Sequence, residues 1–396
     1  MLCSSLSFCF RSQTLCSVHR VHATRVLSTT SEGSDTPTFF EPLLPKNFTG
    51  FSNLPPTRSY TLPPDVTTGD GALPFPKSLS PSSALEFNKC PQSYLLRYIL
   101  NYKDPQTPVM LKGTIIHSAL EKLYKDVRRP DRTRQRLHDL LRQSWSDYKR
   151  TNSSSFLEMF GTDSGTDVQA EIEWGKSALS LLDNYLEIED PRSLPSDPVG
   201  LEKWVKSNLT SSSSTFLVRG IIDRLDLVQT DRGSVDLRIT DYKSGKAPNL
   251  KYSPAMNSKI REESFWQLKV YALLHGLQSE TSKEKRYEAQ VVSDEGNSTK
   301  FSSGGLGVRY LRLIYLNNVN GEGEVMEYDL GETEEEREEV LNVTREELVR
   351  TWEEIMELVE KGDIKEFRHC ERKFCGCHKA REVFVDGTLS EEIINK

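Results

Sequence analysis

Nothing in the 396-residue sequence approaches the ~18 consecutive apolar residues that a membrane-spanning helix needs, so no part of it reads as a bilayer span. Cysteine is scarce. Of the seven, Cys3, Cys9 and Cys16 fall within the first thirty residues, leaving Cys90, Cys370, Cys375 and Cys377 for the body of the chain. One distant and three clustered thiols exclude the dense disulfide framework of a small secreted domain and suit an iron-sulfur or zinc site better. Acid is missing at the start: none precedes Glu32, while Arg11, Arg20 and Arg25 stand among many serines. That composition predicts an organelle transit peptide over 1–35, chloroplast slightly preferred over mitochondrion because the arginines are sparse. Internal repeats are absent.

What is present begins with proline. Ten of the nineteen prolines lie between Thr36 and Pro81, and 36–79 reads as an extended or disordered connector. A single folded domain is expected over 80–385, with a short tail at 386–396. The net charge of −7 does not by itself suggest a nucleic-acid binder, but the charge is uneven. Residues 97–150 hold 13 basic and 6 acidic side chains, and 322–360 hold 3 basic and 16 acidic. A polyanion track and two ordinary solvated helical faces fit this equally well.

Ser-Pro-Ser at 80–82 is a helix start signal, and it leads into a run containing Cys90. Ile116, Leu120, Leu123 and Val127 have helical spacing, which puts His117 and Glu121 one turn apart. Helix is expected to about 150, a Ser/Gly/Thr-rich break over 151–167, and helix again over 168–187. Two β-rich runs follow, joined by a turn at 231–233. A helix over 262–278 places Gln267 and Tyr271 at i, i+4. Residues 279–305 read as a mobile insertion, GLGVRYLRLIYLNN and VMEYDL as paired strands, and 333–361 as an acidic helix.

The segment ITDYKSGK sets Asp241 two positions from Lys243. Strand alternation puts both on one face with Leu237 and Ile239, and Arg238, Thr240 and Tyr242 on the other. A buried carboxylate and ammonium at a strand end are costly unless they pair, hold a metal or act on a substrate. Taken alone, Asp-x-Lys is compatible with a solvated strand end. With a second acidic strand and a histidine helix beside it, the pair fits metal-assisted hydrolysis of a phosphodiester.

In order along the chain, SALEFNKCPQSYLLRYIL, GTIIHSALE, GIIDRLD, ITDYKSGK and QLKVYA resemble the blocks of the PD-(D/E)XK nuclease superfamily, within it the RecB-like exonuclease branch. Each block alone is weak, and five in order are specific. The resemblance implies an α/β fold: a restriction-endonuclease-like mixed β-sheet core flanked by helices, with a helical N-terminal part and a cysteine-bearing C-terminal tail. It implies that His117, Asp223, Asp241 and the Tyr242 carbonyl bind Mg²⁺ or Mn²⁺, that Lys243 is the catalytic lysine, and that Gln267 and Tyr271 support the site. Glu202, in GLEKWV, corresponds to an acidic position upstream of the first catalytic strand, whereas Asp226 and Glu121 read as structural polar groups. The branch often joins one cysteine of the opening helix to three after the domain around a [4Fe-4S] cluster, as Cys90, Cys370, Cys375 and Cys377 would. The tail spacing here, C-x-x-x-x-C-x-C, departs from the usual pattern, so zinc, with His369 or His378 able to substitute, is the rival. The implied substrate is DNA, single-stranded or with free ends. A catalytically silent nucleic-acid-binding or scaffolding module and an RNA-directed nuclease are the alternatives.

Overall fold

A computed structural model describes residues 73–101, 106–162, 165–230, 234–281, 288–292, 298–302, 307–372, 375 and 377. The expected transit peptide, most of the connector, the turn at 231–233, His378 and the tail at 386–396 lie outside these residues.

Helix α1 (Pro81–Lys89) starts where the sequence signals it, with Ser80 and Ser83 forming a reciprocal cap and proline in the first turn. Cys90 ends it, and α2 (Pro91–Tyr94) follows at once into a π turn over Leu95–Ile99. Helix α3 (Pro108–Asp126) is capped by Thr107, and α4 (Arg134–Thr151) by Thr133. The expected break at 151–167 instead contains helix α5 (Ser153–Phe160), followed by a two-residue pairing of β1 (Gly161–Thr162) with β2 (Gly165–Thr166). Tertiary packing overrides the weak helix formers here, because Phe156 and Phe160 both close on the Trp145 ring. Helix α6 (Val168–Ile188) is capped by Asp167.

Strands β3 (Gly200–Thr210), β4 (Thr215–Gln229) and β5 (Val235–Lys246) form an antiparallel meander. Helix α7 (Pro254–Thr281) starts earlier than its sequence pattern indicates. Within the stretch read as a mobile insertion, β6 (Glu288–Val292) pairs with β7 (Ser298–Ser302), consistent with the β-branched residues of EAQVV and STKFS. Strand β8 (Val308–Asn317) lies parallel to β5, with α7 in the crossover, and β9 (Glu324–Asp329) pairs antiparallel with β8. The sheet order is β3-β4-β5-β8-β9. Helix α8 (Glu334–Lys361) has a Thr333/Glu336 capping box and ends at Gly362 in the left-handed region, φ 67°.

Strand β3 is the element that the sequence pattern hides. Its apolar Leu201, Val205 and Leu209 stand four apart, which is also a helical spacing, and the residues between them are mostly polar because β3 is a sheet edge.

One face of the sheet packs Val205, Ile222, Leu237 and Ile239 against α1, α7 and α8. The other packs Tyr242, Ile314 and Leu316 against α3 and α6. Each fully buried leucine in these layers contributes roughly 2 kcal/mol. The two layers leave the β4 and β5 segments around Asp223 and Asp241 reachable from α3 on one side and α7 on the other.

Candidate active site

The ladder between β3 and β4 is regular on either side of one gap. Leu201 pairs with Arg224 and Lys203 with Ile222, but Glu202 and Asp223 face one another without a rung. Both strands exchange faces there: Ile222 and Leu225, three apart, both enter the α7 core, whereas strict alternation would separate them. Glu202 has φ 42°, a left-handed conformation that a glutamate adopts at a cost. The irregularity takes both carboxylates out of the sheet faces and turns them to a common point.

Helix α3 brings His117 to that point. It can approach closely because residue 113 is glycine: a Cβ there would lie 3.0 Å from Ser244 Oγ on β5. His117 Nε2 donates to the Tyr242 carbonyl at 2.8 Å, and its Nδ1 lies 3.3 Å from Asp223 Oδ2. The Tyr242 amide donates to the same Asp223 oxygen at 3.0 Å. Burial holds the imidazole below its ordinary pKa although Asp241 pulls it upward, so the ring is neutral at pH 7. Its Nδ1 lone pair therefore faces a carboxylate oxygen, and only a proton or a cation satisfies both.

The acids repel. Burial, and then the Asp241 charge, raises Asp223 well above the usual carboxylate range, against the pull of the Tyr242 amide. Glu202 is raised by burial and by Glu121 and Asp241. Donor atoms of His117, Glu202 and Asp223 all lie within 4.8 Å of one another, a set that fits a divalent cation. Asp241, whose charge acts on both Glu202 and Asp223, is paired with Lys243, whose Nζ stands 2.7 Å from Asp241 Oδ2. Burial alone would lower the Lys243 pKa, but Asp241 outweighs it and keeps the lysine cationic.

Lys243 also donates to Gln267 Oε1 at 3.1 Å, and Gln267 Nε2 donates to the Tyr271 hydroxyl at 2.6 Å. The Tyr271 ring occupies the space above Gly220, where a Cβ would come within 2.4 Å of it. Helix α7 thus orients the lysine through two side chains one turn apart. His117, Asp223, Tyr242, Asp241, Lys243, Gln267 and Tyr271 all converge here, and Glu202 joins them through the gap in the ladder.

Behind Tyr242 lies a group that sequence reasoning did not find. Arg224 is fully buried; it reaches Glu189 with two bonds of 2.6 and 3.0 Å, Asp226 at 3.0 Å and the Tyr242 hydroxyl at 2.8 Å. Tyr124 and Tyr185 both donate to Glu189 Oε1, and Arg312 meets its other oxygen at 3.0 Å. Asp226 is the structural polar group its position suggested, accepting from Arg238 and Thr240 as well. Glu121 pairs with Lys125 on α3.

The cysteines form a second centre. The Sγ atoms of Cys90, Cys370, Cys375 and Cys377 lie within 4.8 Å of one another. The tail is fastened to the opening helices by Arg372 donating to the Lys89 carbonyl at 2.5 Å and by the Gln92 amide donating to the Arg368 carbonyl at 3.2 Å. Hydrogen bonding from Cys377 lowers Cys90 to about 5, against its burial, whereas burial raises Cys375 to about 11. Four thiols this close share protons, and four thiolates suit a metal. His369 is exposed and lies against the Cys370 carbonyl, outside the thiol set.

No curated protein matches the chain. A solved structure titled "Crystal structure of SSO0001" aligns at 12% identity over 70% of this chain and 86% of its own, with a TM-score of 0.23, a likeness too slight to carry weight. The family model described as the PD-(D/E)XK nuclease superfamily matches residues 78–380, a span that includes the whole five-stranded sheet, the strands bearing Asp223, Asp241 and Lys243, and the four clustered cysteines. With that match over most of its length, the chain belongs to the PD-(D/E)XK nuclease superfamily.

Proposed function

We propose that the protein is a Mg²⁺-dependent (or Mn²⁺-dependent) deoxyribonuclease of the RecB-like branch, acting as an exonuclease on single-stranded ends. The observation that carries this reading is the convergence of Glu202, Asp223 and His117 beside the Asp241–Lys243 pair. Glu202, Asp223, Asp241, His117 and the Tyr242 carbonyl would hold the ion. When bound, it supplies Lewis-acid activation of the phosphodiester and neutralises developing charge. Lys243, kept cationic by Asp241 and aimed by Gln267, orients the attacking water and stabilises charge on the phosphate oxygens. The neutral His117 fixes Asp223 and the Tyr242 peptide relative to each other. A silent binding module would have no use for an intact acid and lysine set, which favours catalysis over that alternative.

End-labelled single- and double-stranded DNA and RNA, incubated with the protein and Mg²⁺ or chelator, test the reading. Stepwise shortening of single-stranded DNA that chelator abolishes is the expected result. Cleavage confined to RNA, or none at all, would overturn it.

At the cysteine centre a [4Fe-4S] cluster is favoured over zinc, and it would clip the start of the domain to its end. Anaerobic preparations should be brown with broad visible absorption; a colourless protein with one zinc per chain would select the rival. Import into an organelle, chloroplast before mitochondrion, is tested by fusing residues 1–60 to a fluorescent reporter, whose retention in the cytosol would exclude it.

A further inference from the structure

The hairpin of β3 and β4 continues outward from the gap that delivers Glu202 and Asp223. Its inner face is covered: Val205 and Val218 are buried in the core, and Gly220, opposite Val205, lies under the Tyr271 ring of α7. Its outer face is open at Trp204, Lys206, Asn208 and Arg219 and half-buried at Leu217 and Ile221. The cross-strand pairs there are Trp204 with Ile221, Lys206 with Arg219 and Asn208 with Leu217. Trp204 is 60% exposed, and Lys206 and Arg219 are both exposed.

Two features of this face work against the stability of the fold. An exposed tryptophan leaves a large apolar ring in water. A lysine directly opposite an arginine is a repulsive cross-strand pair, and among the described residues neither cation has an ion-pair partner. Lysine on an edge strand guards against unwanted sheet pairing, which accounts for Lys206. It accounts less well for Arg219, whose strand is paired with β3 on one side and already bridged by Leu79 on the other, and not at all for the tryptophan. Local choices that conflict with the fold mark functional positions.

The arrangement has an order. Moving out from Asp223, the face presents Ile221 with Trp204, then Arg219 with Lys206. Successive same-face residues on a strand are about 6.6 Å apart, the rise of roughly two nucleotides at the stacked spacing of ~3.4 Å. An aromatic plane followed by two cations matches a base followed by its backbone phosphates, and the track ends at the candidate metal ligands.

Resting on the nuclease reading, we infer that the outer face of the β3–β4 hairpin is a binding track for single-stranded DNA, with Trp204 stacking on a base and Lys206 and Arg219 holding phosphates. Stacking of this kind is sequence-tolerant because every base offers a π face. The track therefore confers strand binding without sequence preference.

The test is binding of a fluorescein-labelled oligothymidylate to the full chain in chelator, followed by anisotropy across a salt series, with cleavage of the same strand in Mg²⁺ measured in parallel. Trp204→Ala should weaken binding about ten-fold or more and raise KM, and Trp204→Phe should recover most of the loss. Lys206→Ala with Arg219→Ala should lower the slope of log affinity against log salt by about 1.4, the value for two single-strand phosphate contacts. This second readout stands even where Trp204→Ala impairs folding. Wild-type binding that survives Trp204→Ala and shows an unchanged salt slope in the double variant overturns the track and leaves the nuclease reading intact. Binding lost in these variants with no cleavage by the wild type upholds the track and overturns the nuclease reading. Failure of the wild type to bind, or binding of oligouridylate alone, overturns DNA as the occupant.

Discussion

Two groups of acids, buried behind Tyr242 and partly buried in front of it, are compensated differently. Behind it, Glu189 and Asp226 are shared among Arg224, Arg238 and Arg312, with hydroxyls from two tyrosines and a threonine. Burial alone would raise the Glu189 pKa, but Arg224 and Arg312 reverse this and hold it at about 2. In front, Glu202, Asp223 and Asp241 have one lysine and a neutral histidine, and both Glu202 and Asp223 are pushed upward. The same residue types, one peptide apart, are thus balanced on one side and short of positive charge on the other. Balance serves the fold. The deficit in front is what a divalent cation and the cations of a catalytic site would fill.

Removing acids from the two sides should therefore have opposite consequences. Asp223→Ala or Asp241→Ala is expected to lower cleavage by at least about 10³-fold. Urea unfolding in chelator should show Asp223→Ala no less stable than the wild type, because it removes a source of repulsion, whereas Asp241→Ala, which leaves the Lys243 ammonium without its carboxylate, should be less stable. Lys243→Ala should lose most turnover and leave metal affinity, read by calorimetry, nearly unchanged. Cleavage at the wild-type rate by either aspartate variant would remove the distinction between the sides.

Behind Tyr242 the expected effect is on stability. Arg224→Met strands Glu189 and Asp226 without their main cation and should cost about 3 to 5 kcal/mol, measured by urea unfolding. The pH profile tests the same group. Glu189 has a folded pKa of about 2, below its unfolded value, so its contribution is fully present above pH ~4.5 and is lost as pH falls from there toward 2. A shift of this size corresponds to about 3 kcal/mol. In Arg224→Met this acid-dependent loss should largely vanish.

The smallest change addresses the link between the sides. Tyr242→Phe deletes the hydroxyl bonded to Arg224 and retains the amide and carbonyl that face Asp223 and His117. It should cost about 1 kcal/mol and raise the Mg²⁺ concentration needed for half-maximal cleavage. An unaltered Mg²⁺ requirement would show that the two sides act independently.

The strand alternation of ITDYKSGK carried most of what could be read in advance. Leu237 and Ile239 do enter one core layer, Lys243 meets Gln267 on that side, and Arg238, Thr240 and Tyr242 share the other. His117 was legible because its helix is strongly periodic. The Arg224 group was not, since Tyr124, Glu189, Arg224, Tyr242 and Arg312 come from five separate elements or loops and no local spacing connects them. Glu202 had only a positional correspondence to recommend it, because the gap in the ladder that turns it inward depends on how β3 and β4 register, which neither strand specifies alone.

Position 202 carries a lesson for anyone redesigning this chain. Its backbone lies where glycine or asparagine is comfortable and glutamate is not. A procedure that selects residues for local conformational ease would replace Glu202 and count the change as an improvement in stability. The resulting protein would be sturdier and would lack one of the three side chains grouped around the candidate ion site.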